Sequence, residues 1–188
     1  GDSPELPKVE EKTGEVLSPY ALTKYINEEY ARLFSQIYGI ETIGLRYFNV
    51  FGCRQDPEGP YAAVIPLFTT RFKKKLSPII NGDGSNSRDF TYIDNVILAN
   101  NLAATATDPK ALNTSYNIAC GERVTLNEMA MQLQKDLAIY DVLIAGVKPQ
   151  HGPERAGDIP HSLASIDKAK RLLGYQPLVY FKEGLGKA

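Results

Sequence analysis

The sequence predicts an α/β fold. Three observations carry this reading. Apolar residues recur at helical spacing after a Ser18-Pro19 helix start. The run Thr42-Ile43-Gly44-Leu45-Arg46-Tyr47-Phe48 is nearly continuous in apolar character, as in a parallel strand covered on both faces. Strand-like and helical segments then alternate towards the C-terminus.

In order, residues 1–17 are polar, with Pro4, Pro7 and Gly14, and read as a loop. Ser18 offers an N-cap oxygen, and Pro19 suits the first helical position, where its missing N–H is no loss. Leu22, Ile26, Tyr30, Leu33, Phe34 and Ile37 follow at helical spacing until Gly39 stops the helix. Gly52, Pro57, Gly59 and Pro60 make 52–60 a loop, and a helix is expected over 62–75, ending in Lys73-Lys74-Lys75.

Pro78-Ile79-Ile80 reads as a short strand, and Asn81-Gly82-Asp83-Gly84-Ser85-Asn86 as turn chemistry. Asp89-Phe90-Thr91-Tyr92-Ile93 is a further strand, leading into a helix from Asp94 to Ala106. Ser115-Tyr116-Asn117-Ile118-Ala119 is another. Thr125 and Glu128 have the spacing of a capping box, opening a helix to Leu137. Residues 142–147 look strand-like, and 149–162, with Pro149, Pro153 and Pro160, look like a loop. A short helix over 167–173, a Gly174-Tyr175 turn and a last helix complete the chain.

The 188 residues support one domain, or one with a small lobe. Lys plus Arg number 21 and Asp plus Glu 22, giving a net charge of -1. That balance disfavours a general binder of nucleic acid or anionic membrane but leaves room for a local basic pocket. Cys53 and Cys120 cannot make a disulfide framework and fit a reducing cytoplasm better than secretion. No apolar run reaches the ~18 residues of a membrane helix, and no basic-then-apolar leader is seen. The chain opens on Gly-Asp-Ser-Pro, and we expect a piece of a longer protein.

Tyr20 and Lys24 stand four apart in the first helix and share a face. An ammonium beside a phenol favours the phenolate, which is what a general base near neutral pH requires. The same spacing also describes a packed tyrosine beside a solvated lysine. Arg88 follows the glycine-rich turn, and Arg155 sits in the proline-rich loop with Asp158 three residues on. An arginine fork suits phosphate, and each is equally a surface arginine. Gly82-Asp83-Gly84 lacks the further glycine and lysine of a phosphate loop and reads as a tight turn. Lys73-Lys74-Lys75 reads as a solvated helix end. His151 and His161 have no partner at metal-ligand spacing, so no metal is expected.

Five segments in order resemble the extended short-chain dehydrogenase/reductase family, in its nucleotide-sugar epimerase branch. They are Ser18-Pro19-Tyr20-Ala21-Leu22-Thr23-Lys24, Leu45-Arg46-Tyr47-Phe48-Asn49-Val50-Phe51-Gly52, Asn81-Gly82-Asp83-Gly84, Arg88-Asp89-Phe90-Thr91-Tyr92-Ile93-Asp94-Asn95-Val96 and Arg155-Ala156-Gly157-Asp158. The resemblance covers essentially the whole chain. It implies the C-terminal portion of a Rossmann-type doubly wound fold plus the smaller sugar-nucleotide-binding lobe. Residues 1–60 would hold the last Rossmann helix and strand. Residues 61–188 would be mainly the substrate lobe, with one Rossmann strand returning near 115–119. The nucleotide-binding half, with its glycine fingerprint, and a catalytic Ser or Thr would lie upstream, so the chain alone is expected to be inactive.

By the same resemblance the cofactor is NAD, Tyr20 is the catalytic base, and Lys24 holds the nicotinamide ribose. Tyr47 would lie near the cofactor. Asn49, Arg88, Arg155 and Asp158 would line the diphosphate and sugar pocket, with Val64 and Asn81 framing the uracil and ribose. Ser162, four residues after Asp158, stands where a bulky residue in similar enzymes excludes N-acetylated sugars. A small one there implies UDP-N-acetylglucosamine and UDP-N-acetylgalactosamine as the interconverted pair; a plain loop serine is the other reading. The stretch from Gly59 to Pro66 looks like bacterial enzymes that supply surface polysaccharides. A cytoplasmic homodimer is the expected assembly. A dehydratase, a decarboxylase or a uronate epimerase of the same family is the first alternative. A non-catalytic nucleotide-binding scaffold is the second, since fold does not fix function.

Overall fold

Ser18 caps the first helix, α1 (Pro19–Tyr38), through its hydroxyl oxygen, which accepts from the Ala21 N–H at 3.1 Å. Gly39, at φ 67°, ends it in the left-handed conformation that a residue with a Cβ adopts reluctantly, and donates its N–H to the Ser35 carbonyl. The computed structural model describes residues 3–56, 58, 63–154 and 159–188.

After α1 the chain enters β1 (Ile43–Tyr47), which pairs in parallel with β6 (Thr114–Ile118), Ile43 opposite Thr114 and Tyr47 opposite Ile118. Two further parallel pairs are short: β2 (Val50–Phe51) with β5 (Thr91–Tyr92), and β3 (Ile79–Asn81) with β8 (Gln150–Gly152). One pair is antiparallel, β4 (Ser87–Arg88) with β7 (Val124–Thr125). The helices between and after them are α2 (Val64–Lys73), α3 (Ile93–Ala104), α4 (Leu126–Ala138), α5 (Asp167–Leu173) and α6 (Phe181–Lys187). Parallel neighbours need long crossovers, and the helices supply them. The α/β class and the Rossmann-type pairing expected from the sequence are therefore present.

Two apolar cores form. Tyr116, Ile118, Ala99, Ala169, Leu173 and Tyr175 close one around β1 and β6. Phe51, Phe68, Phe72, Phe90, Met129 and Phe181 close the other between α2, α4 and α6. Helix α3 serves both, with Ile93 packed on the second and Ala99 buried in the first. The Thr125–Glu128 capping box is complete in both directions and starts α4 where the spacing predicts.

The structure corrects the sequence reading in several places. Residues 142–147 are not a strand: Val142–Gly146 is a 3₁₀ turn begun by the Asp141 carboxylate, which accepts from the Leu143 N–H. Its apolar run is mostly exposed, and only Ile144 is buried, so hydrophobic continuity misled. The strand expected over 89–93 shrinks to Thr91–Tyr92 because Asp89 turns its carboxylate inward to three backbone N–H groups. The loop expected over 149–162 contains β8, which exists only because β3 is there to pair with it. The helix starting in sequence at 62 is described from Val64 onward and ends at Lys73. Arg155 and Asp158 lie outside the described residues, as do Gly59 to Ala62.

Candidate active site

Helix α1 carries Tyr20 in its first turn and Lys24 one turn on. The Lys24 Nζ stands 5.2 Å from the centroid of the Tyr20 ring, in cation–π contact. Tyr20 is 66% exposed, so its hydroxyl can meet a ligand. One further turn on, Glu28 leaves the helix towards β1, where Arg46 grips it.

A second group gathers around β4. Asn49 sits between β1 and β2 at φ 32°, donates from its side-chain Nδ2 to the Asp89 carbonyl at 3.3 Å, and accepts from the Thr91 N–H at 3.2 Å. Arg88 Nη1 donates to the carbonyls of Ser87 and Pro160 at 3.0 and 3.2 Å. The Ser162 N–H donates to the Ser87 carbonyl at 2.9 Å, and the Ser87 N–H donates to Pro160. Ser87 also shares a 2.9 Å hydrogen bond with His161 Nδ1. Arg88 lies in β4 and Ser162 is bonded to that strand, while Asn49 is bonded to the backbone that follows it.

The other expected residues sit further out. Asn81 ends β3 opposite Gly152, and Val64 opens α2 and packs on the second core. Tyr47 ends β1 and its hydroxyl meets the Asn100 side chain of α3, whereas Arg46, its neighbour on the strand, reaches Glu28 of α1. Side chains alternate along a strand, so Tyr47 points away from the helix that carries Tyr20 and Lys24.

Sequence reasoning missed Asp89 as anything but a strand residue. Its fully buried carboxylate accepts from Cys120 N at 3.0 Å, Gly121 N at 3.1 Å and Ala164 N at 3.2 Å. It therefore ties the end of β6 and the segment after Ser162 to the base of β4. Burial pushes this carboxyl up to about 6, against the three N–H groups, which pull it down. An acidic residue inside an apolar run was the available signal. Among the described residues no cluster of three or more His, Cys, Asp or Glu side chains is placed to hold a metal ion. No helix among them is long and apolar enough to cross a membrane.

Comparison with known proteins places this geometry. The profile of the NAD dependent epimerase/dehydratase family matches residues 1–119, and the chain belongs to that family. It is 40% identical over 174 residues to a putative UDP-glucose 4-epimerase of Methanocaldococcus jannaschii, covering 90% of this chain and 51% of that protein. It superposes on the UDP-N-acetylglucosamine 4-epimerase of Methanobrevibacter ruminantium, solved with UDP-N-acetylmuramic acid, with a TM-score of 0.89 and 37% identity. That match covers 100% of this chain and 57% of the other. The UDP-glucose 4-epimerase of Thermus thermophilus, solved with NAD, matches with a TM-score of 0.81 and 32% identity over 100% of this chain and 58% of that one. The chain spans about half the length of the curated relatives it matches. The fold is the Rossmann-like fold of these epimerases, and the cofactor of the family is NAD.

Proposed function

We propose that the full protein epimerises a UDP-sugar at C4, interconverting UDP-N-acetylglucosamine and UDP-N-acetylgalactosamine as precursors of surface polysaccharide. The observation that supports this reading most is the Tyr20–Lys24 pair, a phenol under an ammonium on an exposed helical turn. It lies within a family of NAD-dependent epimerases and dehydratases.

The residues present fit a dinucleotide: Lys24 offers up to three N–H donors to ribose hydroxyls, beside an exposed phenol. NAD, when bound there, would supply the hydride acceptor and donor for C4. Tyr20, as phenolate, takes the proton of the sugar 4-hydroxyl and later gives it back. Lys24 favours that phenolate by its charge and positions the cofactor ribose. The resulting 4-keto sugar turns between the two transfers while the nucleotide stays anchored. Arg88 and Arg155 suit that anchoring because a guanidinium fork holds phosphate oxygens. Asn49, Asp158 and Ser162 line the sugar pocket, and Val64 and Asn81 frame the nucleoside. The small Ser162 leaves space for an N-acetyl group. Tyr47, whose hydroxyl meets Asn100 of α3, would approach the cofactor from the far side of β1.

In this reading residues 1–60 complete the nucleotide-binding half, residues 61–188 are mainly the substrate lobe, and the protein works as a cytoplasmic homodimer. We expect the 188 residues alone to be inactive, since the curated relatives they match are about twice as long. The test uses the full-length protein with UDP-N-acetylglucosamine and UDP-glucose, beside Tyr20→Phe. Conversion to the 4-epimer, abolished in the variant and faster for the acetylated sugar, supports the reading. A 4-keto-6-deoxy or decarboxylated product moves the protein to the dehydratase or decarboxylase branch. Nucleotide binding with no turnover of either sugar favours a scaffold.

A further inference from the structure

We propose that the ion pair between Glu28 and Arg46 is a positioning device for the catalytic helix, setting the rotation at which α1 presents Tyr20 and Lys24. The proposal rests on the reading of Tyr20 as the base.

Tyr20, Lys24 and Glu28 follow one another at intervals of four and so form one stripe on α1. Glu28 is about 12 Å along the axis from Tyr20, at ~1.5 Å per residue. Arg46 meets its carboxylate with both fork nitrogens, Nε to Oε1 and Nη2 to Oε2, each at 2.7 Å. A two-point contact fixes angle as well as distance.

The guanidinium is itself held. Its Nη1 donates to the Glu10 carbonyl at 2.8 Å. The buried Glu10 side chain accepts the Asn117 N–H of β6 at 2.9 Å, and the Asn117 amide donates to the Lys8 carbonyl at 3.0 Å. The anchor of the helix thus runs through β1 into β6 and the N-terminal segment. The Ser115 hydroxyl lies near Glu28 and helps hold its carboxyl down, and Gly44 makes room for it: a Cβ there would lie 2.6 Å from Ser115 Oγ. The Arg46 hydrogen bond, followed by its charge, holds the Glu28 carboxyl below its ordinary value against the cost of burial.

Within these residues apolar burial on α1 is slight. Helix α1 has no fully buried residue along its 20 positions, and Ile26, Leu33 and Phe34 are each exposed by 40% or more. The two-point contact with Arg46 puts a directional constraint on the helix's rotation. A shift of ~1 Å in a reacting group costs on the order of 10²-fold in rate.

The experiment is steady-state epimerisation by the full-length protein carrying Glu28→Gln, Arg46→Lys, both together, or Ser115→Ala, with Tyr20→Phe alongside and thermal melting of each. The expected result is a kcat drop of about tenfold to a hundredfold in each single variant of the pair, with KM for the UDP-sugar within about twofold. The double variant should be no slower than the slower single one, because both break the same lock. Ser115→Ala, which leaves the fork intact, should lose a fewfold in kcat and keep its melting temperature, so a failure of the pair variants to fold still leaves a test. Lower melting temperatures with unchanged kcat would reduce the pair to a structural role and overturn the proposal. A rise in KM with unchanged kcat would overturn it equally. If Tyr20→Phe keeps full turnover, the reading of Tyr20 fails and the proposal falls with it. An inactive Tyr20→Phe beside a fully active Glu28→Gln overturns the positioning role alone.

Discussion

The side-chain amide of Asn95 holds the backbone of Val179 from both sides, with Nδ2 donating to its carbonyl at 2.7 Å and Oδ1 accepting its N–H at 3.1 Å. The same Oδ1 accepts the Leu178 N–H at 2.7 Å. Asn95 is fully buried in α3, so one polar residue pins the segment that leads into α6.

Asn95→Ala would leave those backbone groups without partners, and each buried unpaired group costs about 1–3 kcal/mol. We expect the full-length protein to lose about 3 kcal/mol, read as a lower urea midpoint at unchanged slope. Asn95→Asp should be no better, since a carboxylate oxygen would then face the Val179 carbonyl. A loss under about 1 kcal/mol for Asn95→Ala would mean that the segment is held by its apolar packing alone.

Asp89 gives stability an acid-side signature. Its native value of about 6 lies above the ordinary 3.8, chiefly through burial. Between those values the folded chain holds a proton that the unfolded chain has released. This group therefore makes stability rise as pH falls through the window, and its ionisation costs stability above it. The slope reaches about 1.4 kcal/mol per pH unit. Urea unfolding at pH 7 and pH 5 should show wild type gaining on Asp89→Asn by on the order of 1 kcal/mol at the lower pH. A constant gap between the two proteins would show that Asp89 titrates at its ordinary value.

The two cysteines should separate cleanly under a thiol reagent. Cys53 is exposed, with its Sγ donating to the Lys187 carbonyl at 3.0 Å. Cys120 is buried, and burial pushes its thiol up to about 12, leaving almost no thiolate at neutral pH. Mass mapping after brief iodoacetamide treatment should find Cys53 modified and Cys120 untouched until denaturant is added. Equal modification of both under native conditions would contradict the burial of β6's end.

Much of this architecture was legible in the residues. Ser18, Pro19 and Gly39 bound α1 because capping is local chemistry, and the Thr125–Glu128 box starts α4 for the same reason. What escaped depends on partners distant in sequence. Strand β8 is three residues long and forms only against β3, and β7 only against β4. The run after Asp141 looked like a strand because exposure cannot be read from hydrophobicity. For the site, the ordered motifs picked out Tyr20, Lys24, Asn49 and Arg88, and Ser162 followed from its place after Asp158; Tyr20 and Lys24 share a face of α1, while Ser162 is bonded to β4 and Asn49 to the residues after it. The ties behind them, Asp89 to three backbone groups and Arg46 to Glu28, span residues that no local pattern connects.

The pairing of the strands also dictates an order of assembly. Ile43 waits for Thr114, Val50 for Thr91 and Ile79 for Gln150, so no parallel pair can form from neighbours along the chain. The first core is finished only when Tyr175 arrives and donates its hydroxyl to the Ala119 carbonyl. On the ribosome, β1 emerges long before the residues that cover it. Loop closure over such distances is slow, so the nascent chain carries uncovered apolar surface through most of its synthesis, the period in which chaperone binding or aggregation would act on it.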